Sequence, residues 1–163
     1  MRYNKIRKMD ISNGPGIRIS IFMQGCTFKC KNCFNPETHD FDKGEELTND
    51  VILKILKISE PDYIEGLSVL GGEPMHPKNA SGSLDLIKKF KEKYPNKTIW
   101  VWSGFLFENL KDLYDLKNID VLVDGQYKDE LHDPKLKYRG SSNQRVIDVK
   151  KSLEKNKIIL FCE

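Results

Sequence analysis

The chain has 163 residues, 39% hydrophobic and 31% charged, which fits one globular domain and excludes a disordered chain. Its 27 basic and 24 acidic residues are mixed along the sequence. A net charge of +3 without a long basic run argues against nucleic acid as a partner. The N-terminus leads into no apolar stretch, so we expect no signal peptide, no membrane segment and a cytoplasmic location.

The predicted elements alternate between strands and helices. In chain order they are a strand at 17–23, a helix at 47–57, a strand at 64–70, a helix at 84–94, a strand at 98–102, a helix at 105–114, a strand at 119–123, a long polar loop at 125–143, and two short strands at 144–149 and 158–161. This alternation implies parallel strands joined by right-handed crossovers.

About five or six strands are too few for a closed eight-stranded barrel. We therefore predict a single α/β domain over residues 1–163, with mostly parallel strands arranged as an open partial (β/α) barrel. A doubly wound sheet is the alternative that periodicity does not separate from it. Either fold binds ligands at the carboxyl ends of its strands.

Glycine or polar residues follow four of the predicted strands. They are Gly25-Cys26, Gly71-Gly72-Glu73-Pro74, Ser103-Gly104 and Asp124-Gly125. Because the carboxyl ends of parallel strands share one edge of a sheet, we expect these four loops to converge there.

Three of the four cysteines, Cys26, Cys30 and Cys33, lie within eight residues, too close together to staple distant segments as disulfides. Their C-x3-C-x2-C spacing lets one compact loop place three thiolates on three irons of a [4Fe–4S] cluster. The fourth iron then has no protein ligand, and an outside molecule can chelate it.

Two other interpretations of the cysteines remain open. A structural zinc site requires four ligands, and the fourth would have to come from Cys162 or His39. A redox dithiol of Cys30 and Cys33 would leave Cys26 unexplained. We interpret Cys162 as an ordinary residue of the last strand. The histidines are interpreted as surface or loop residues: His39, His76 and His132.

The cysteine loop after the first strand resembles the radical S-adenosylmethionine (SAM) superfamily. Residues 13–18 (NGPGIR) resemble the segment that precedes the cluster in glycyl-radical activating enzymes, and Gly71-Gly72-Glu73 resembles the superfamily's Gly-Gly-Glu motif. Residues 101–105 (VWSGF), 123–127 (VDGQY) and 139–145 (RGSSNQR) are similar to the activating proteins of anaerobic ribonucleotide reductases. The resemblance covers nearly the whole chain in the same order.

The resemblance implies one [4Fe–4S] cluster on Cys26, Cys30 and Cys33, with the amino and carboxylate groups of SAM on the open iron. It also implies a set of SAM contacts: Asn32, Cys33 and Phe34 near the adenine, Gly71 and Gly72 along the methionine part, Glu73 at the ammonium group, and Ser103 and Asp124 at the ribose. No side-chain acid or base is required, so we assign no catalytic residue of that kind.

The reaction implied by the resemblance begins with an external one-electron donor such as flavodoxin or ferredoxin. Cleavage of SAM gives a 5′-deoxyadenosyl radical, which removes a hydrogen atom from a glycine of a partner, the anaerobic (class III) ribonucleoside-triphosphate reductase. Alternatives are an activase of another glycyl-radical enzyme such as pyruvate formate-lyase, a radical SAM enzyme with a small-molecule substrate, and a zinc-stabilised binding module that is not an enzyme.

Overall fold

The computed structural model describes residues 1–162 as one β-sheet with short helices. The strands are β1 Arg2–Asp10, β2 Ile17–Met23, β3 Glu45–Glu46, β4 Ile64–Gly71, β5 Thr98–Ser103, β6 Val121–Asp124, β7 Arg145–Asp148 and β8 Leu160–Cys162. The α-helices are α1 Asn49–Ile58, α2 Ala80–Lys93, α3 Phe107–Leu113 and α4 Val149–Lys155, and single 3₁₀ turns occur at Pro36–Thr38 and Asp129–Leu131.

The strands form one mixed sheet in the order β3-β1-β2-β4-β5-β6-β7-β8. The four central strands, β2, β4, β5 and β6, run parallel to one another. On either side the neighbouring strands pair antiparallel, β1 and β3 at one side and β7 and β8 at the other.

The predicted open partial barrel with five to six mostly parallel strands is therefore wrong, because the sheet has eight strands and is mixed. The crossover prediction applies only to the central strands, which helices connect. The outer strands return without a full crossover and pair antiparallel, which the hydrophobic pattern does not reveal because it carries no information on strand direction.

Apolar residues of all four helices pack on one face of the sheet in a single buried core. In α1 the side chain of Thr48 accepts a hydrogen bond from the amide of Val51 and caps the helix, while Ile52, Ile55 and Leu56 are buried at helical spacing. None of the helices within residues 1–162 has the length and apolarity needed to cross a membrane.

The opposite face of the sheet has no helix among the described residues. Its smaller buried cluster consists of Trp100, Val121, Val123 and Val146, with Trp102, Tyr138 and Cys162 packed against it. The rings of Tyr138 and Phe161 lie 4.8 Å and 5.1 Å from the ring of Trp100. The segment 125–144 thus covers part of this face, and side chains such as Phe22 and Leu70 elsewhere on it are also buried.

The parallel strands end at the same edge of the sheet. Met23 at the end of β2 is in register with Gly71 of β4, and Ser103 of β5 is in register with Asp124 of β6. The glycine-rich and polar segments that follow these residues therefore lie side by side, and they form the candidate site.

Candidate functional site

The cysteine loop, residues 26–33, leaves β2 at Gly25 and turns sharply. Gly25, Lys29 and Asn32 have positive φ angles of 111°, 49° and 54°. The amide of Gly25 donates to the carbonyl of Thr38 at 2.6 Å, and the amide of Cys26 donates to the carbonyl of His39 at 3.1 Å. The loop is thus held against the segment that follows it.

All three cysteines of the loop are half-buried and line one cavity of about 480 Å³. Burial is the main cause that raises the pKa of the Cys26 and Cys33 thiols, and nearby acidic groups, Glu73 at Cys26 and Glu37 at Cys33, raise them further. Three thiolates at this position therefore require a cation to offset their charge, as an iron centre does. The all-sulfur donor set fits an iron–sulfur cluster.

The arrangement differs from a site for a single metal ion. Within residues 1–162, no three His, Cys, Asp or Glu side chains form a group suited to one metal ion. Two sulfurs on one tetrahedral zinc lie about 3.8 Å apart. In a [4Fe–4S] cluster each thiolate bonds a different iron, so the thiols can line one cavity without meeting at one point.

Two phenylalanines fasten the cysteine loop to segments from later in the chain. The ring of Phe28 packs on Phe105, with centroids 4.9 Å apart, in the space above Gly104, where a Cβ would lie 2.5 Å from that ring. Phe34 packs in the same way over Gly140, whose Cβ would lie 2.7 Å from its ring, and against Tyr127 at 5.0 Å. A side chain at either position would displace the phenylalanine, so glycine allows both close contacts.

Gly71 and Gly72 lie where β4 passes closest to β2. Gly71 has a φ of 125°, and a Cβ on it would meet the backbone of Met23, while a Cβ on Gly72 would lie 2.6 Å from the carbonyl oxygen of Gly25. The amide of Gly72 donates to the carbonyl of Met23 at 3.1 Å. The two glycines therefore allow close contact between backbones, and both also line the cavity.

Glu73 is fully buried and accepts three hydrogen bonds. The amide of Gly104 donates to Oε1 at 2.6 Å, and the amide of Met75 and the hydroxyl of Ser103 donate to Oε2, each at 2.8 Å. Burial raises the pKa of this carboxyl to about 7, although all three hydrogen bonds oppose the shift. Glu73 and Ser103 thus bind each other and join the turn after β4 to the turn after β5.

Asp124 is buried and occupied by protein partners. Its carboxylate accepts from the amide of Phe107 at 2.8 Å and forms an ion pair with Arg145 at 2.6 Å, which also binds Glu108 at 2.6 Å. It thus fixes the start of α3 to β7. Arg145 has a raised pKa, chiefly because of its hydrogen bond to Asp124.

The cavity brings together most of the residues predicted from sequence but not all of them. Those that line it are Cys26, Cys30, Cys33, Phe34, Gly71, Gly72, Glu73 and Ser103. Asn32 and Asp124 do not line it. The side chain of Asn32 instead donates to Asp129 at 3.0 Å, which ties the cysteine loop to the segment 125–144.

Several residues that line the cavity were not predicted from the sequence as site residues: Asn35, His39, Trp102, Tyr127, Arg139 and Gln144. Asn35 donates its amide to the sulfur of Cys33 at 3.4 Å and its side-chain amide to the carbonyl of Gly71 at 3.4 Å, so it links the cysteine loop to the glycine turn. The only feature of the sequence that could have indicated a role for Asn35 in the site is its position two residues after the last cysteine of the loop.

The segment 125–144 is an ordered wall of the cavity. Gln144 accepts from the amides of Gly140 and Ser141 at 2.9 Å and 3.1 Å, and its side chain donates to the carbonyl of Gly125 at 3.0 Å. The indole of Trp102 donates to the carbonyl of Tyr138 at 2.7 Å. The polar residues predicted as a loop therefore stabilise it through their own hydrogen bonds.

Comparison with known proteins assigns the family. A family model described as a 4Fe-4S single cluster domain matches residues 12–147. The chain is 38% identical over 146 residues to a protein of Enterobacteria phage T4, covering 90% of this chain and 93% of that protein. It is 40% identical over 148 residues to one from Vibrio cholerae, covering 88% and 96%, and 38% identical over 152 residues to one from Escherichia coli, covering 90% and 97%.

These three relatives carry the same name, anaerobic ribonucleoside-triphosphate reductase-activating protein. The similarity extends over most of both chains, and the matched family model includes the cysteine loop, the glycine turn and the whole of the segment 125–144. The chain therefore belongs to the family of anaerobic ribonucleoside-triphosphate reductase-activating proteins and contains a 4Fe-4S single cluster domain.

Proposed function

We propose that this chain is a radical SAM activase that cleaves SAM reductively and generates a glycyl radical on a partner anaerobic ribonucleotide reductase. The observation that carries the proposal is that Cys26, Cys30 and Cys33 line the same cavity as the Gly71–Gly72 turn. The names of the relatives support the reductase as the protein that is activated.

In this proposal the three thiolates hold three irons of the cluster, and the cavity beside them receives SAM. Held by Cys26, Cys30 and Cys33, the cluster would supply the electron for cleavage of a carbon–sulfur bond of SAM, and the hydrogen atom would then come from a glycine Cα of the reductase. The electron comes from an external one-electron donor such as flavodoxin or ferredoxin.

The contacts proposed for SAM divide into two groups. We propose that the ring of Phe34, next to Cys33, contacts the adenine and that the backbone of Gly71 and Gly72 contacts the methionine part, since all of these residues line the cavity. Glu73 and Ser103 also line the cavity, but their mutual hydrogen bond leaves them less free to turn toward a ligand. We therefore propose that these two act mainly by positioning the turns.

Asn32 and Asp124 do not line the cavity, and their side chains already bind other residues of the protein. A contact between Asn32 and the adenine requires the hydrogen bond to Asp129 to open, or else uses the Asn32 backbone. Asp124 would reach the ribose only after releasing Phe107 or Arg145, so we propose that it supports the site through α3 and β7.

We propose that the glycine of the reductase approaches along the apolar wall of the cavity. Phe22, Leu70 and Trp102 make the wall of the cavity on that side apolar. An apolar wall excludes water from a reactive radical, which would otherwise be lost to side reactions. The side chains of this chain thus bind, orient and shield, while the cofactors supply the bond-breaking chemistry.

The experiment that tests the proposal is anaerobic reconstitution with iron and sulfide, followed by reduction, addition of SAM and assay for 5′-deoxyadenosine. With the reductase present, an electron paramagnetic resonance (EPR) signal of a glycyl radical should appear on it. Cys30→Ala should abolish both products, whereas Cys162→Ala, outside the cysteine loop, should retain them. A colourless zinc-loaded protein that leaves SAM intact would refute the proposal.

A further inference from the structure

Two lysines flank the middle cysteine of the cysteine loop and have no acidic partner. Lys29 precedes Cys30 and Lys31 follows it, and both lysines are exposed. Among residues 1–162 neither of them takes part in an ion pair, whereas three other lysines of the chain pair with aspartates. The loop therefore presents two unpaired positive charges directly beside a cluster ligand.

Two acidic residues near the loop do not neutralise these lysines. The carboxylate of Asp129 accepts hydrogen bonds from the side chain of Asn32 at 3.0 Å and from the hydroxyl of Tyr127 at 3.1 Å. Glu37 lies near Cys33 but forms no ion pair with a described residue. The positive charges of the loop thus remain available to a partner from outside.

The lysines lie on the side of the loop that faces away from the cavity. The three cysteines line the cavity, whereas Lys29 and Lys31 do not. In the proposed function SAM and the glycine of the reductase both enter the cavity, so the outer surface of the loop should stay accessible while they are bound. This surface is also close to the cluster, since neighbouring Cα atoms are about 3.8 Å apart.

We propose that Lys29 and Lys31 form the docking surface for an acidic one-electron donor protein of the flavodoxin class, which reduces the cluster from the outer side of the loop. This inference rests on the proposed function in that the three cysteines hold a cluster that a donor reduces. One electron leaves the flavin hydroquinone of the donor and enters the irons, and no covalent bond forms or breaks.

The charge of the cluster itself makes such lysines useful. A [4Fe–4S] core in its 2+ state on three thiolates has a net negative charge, which repels an acidic donor. Positive charges beside the cluster offset this repulsion, because the interaction of two charges falls with the distance between them. Electron-transfer complexes are small and transient, so attraction between opposite charges acts mainly on their rate of association, which it raises by about 10–1,000-fold.

The test follows the oxidation of a reduced acidic flavodoxin by the reconstituted protein in an anaerobic stopped-flow instrument. The double variant Lys29→Glu with Lys31→Glu should react at least about tenfold more slowly than the wild type at low salt. The two rates should converge at about 1 M salt, where the Debye length is only about 3 Å.

The matched control has the same change of net charge at a distance from the loop. Lys54→Glu with Lys88→Glu alters exposed positions of α1 and α2 that do not line the cavity, and it should react like the wild type. Excess dithionite should reduce the cluster to the same extent in all three proteins, because a small reductant needs no docking surface.

Equal rates for the double variant and the wild type at low salt would overturn the inference. An equal loss of rate in the control variant would also overturn it, because net charge would then be the cause. A third measurement needs no variant: the rate of the wild type should fall as salt is added, and a rate that does not fall would refute docking through these charges.

The two proposals fail in distinguishable ways. A protein whose reduction by flavodoxin depends on Lys29 and Lys31 but which never forms 5′-deoxyadenosine would refute the proposed function and leave the docking surface intact. A protein that cleaves SAM after reduction by dithionite, with a flavodoxin rate indifferent to salt and to these lysines, would do the reverse.

Discussion

Replacing Gly104 with alanine tests whether Phe28 fixes the cysteine loop to the end of β5. The new Cβ would lie 2.5 Å from Cε2 and 2.7 Å from Cδ2 of Phe28. Carbon atoms in contact prefer about 3.5–4.0 Å, so the ring must retreat by roughly 1 Å. Because Phe28 lies between Cys26 and Cys30, its displacement moves the segment that carries both thiols.

The expected loss of stability is small compared with the expected loss of activity. Inserting one methyl group into a packed contact costs about 1–3 kcal/mol, against about 5–15 kcal/mol for the unfolding of a whole domain. Most Gly104→Ala molecules should therefore fold. A shift of about 1 Å at a reacting centre, by contrast, lowers a rate by about 100-fold. We expect near-normal folding with reduced iron content and slow cleavage of SAM.

The assay combines iron and sulfide per chain, the rate of 5′-deoxyadenosine formation and thermal unfolding. Gly82→Ala is the matched control because its Cβ would meet only the flexible side chain of Met1, at the sulfur, Cβ and Cγ. Gly82 also lies inside α2, where alanine is favoured over glycine by about 1 kcal/mol. This variant should keep its iron and unfold no earlier than the wild type.

The double variant Phe28→Ala with Gly104→Ala separates the clash from other effects. If the reasoning is right, the second substitution does little further harm once the ring is absent, and the coupling between the two is about 0.5–3 kcal/mol. A Gly104→Ala protein with full iron content and an unchanged rate would refute the reasoning. So would strict additivity of the two substitutions.

Three further predictions concern the surroundings of the site. Arg145→Leu leaves the buried carboxylate of Asp124 without its cation and should lower the free energy of unfolding by about 3–5 kcal/mol; an unchanged urea midpoint would contradict this. Trp102→Phe removes the indole donor to the carbonyl of Tyr138 and should cost about 1 kcal/mol, with faster amide exchange in the segment 125–144, whereas unaltered exchange would count against that role. Removing iron with a chelator should lower the melting temperature and speed trypsin cleavage at the exposed Lys29 and Lys31, because the cluster binds only the folded chain and orders this loop; equal cleavage with and without iron would show that it does not.

The elements predicted best from the sequence are the strands that consist of an uninterrupted run of apolar, buried residues. The apolar run at 17–23 matches β2, and the run at 64–70 matches β4 to within one residue. The strand β1 was missed because its residues are largely charged and only half-buried, so it lacks an apolar pattern. It is a strand because it pairs with β2, which is a tertiary cause. The helix α4 was missed because it buries only Val149 and Ser152.

In the candidate site, too, the features set by neighbouring residues in the sequence were predicted, and those set by contacts between distant segments were not. The spacing of the three cysteines is a local property, so the sequence alone indicates a cluster ligand set. The environment of Glu73 is not local, because Ser103 and Gly104 reach it from the next strand. From the sequence we predicted that the Glu73 carboxylate contacts the ammonium group of SAM, and this stays a prediction. The sequence did not reveal that three donors of the protein itself already bind this carboxylate.

The anchoring of the cysteine loop has a consequence for biosynthesis. The loop leaves the ribosome early, but the two glycines on which Phe28 and Phe34 rest lie in the second half of the chain. A nascent chain thus exposes its three thiols before the surfaces that position them exist. Domains generally fold as units once their sequence has emerged, so stable cluster insertion should follow completion of the polypeptide and not accompany it. Until then the thiols are exposed to oxidation, and a cell that makes this protein has to load it in the absence of oxygen.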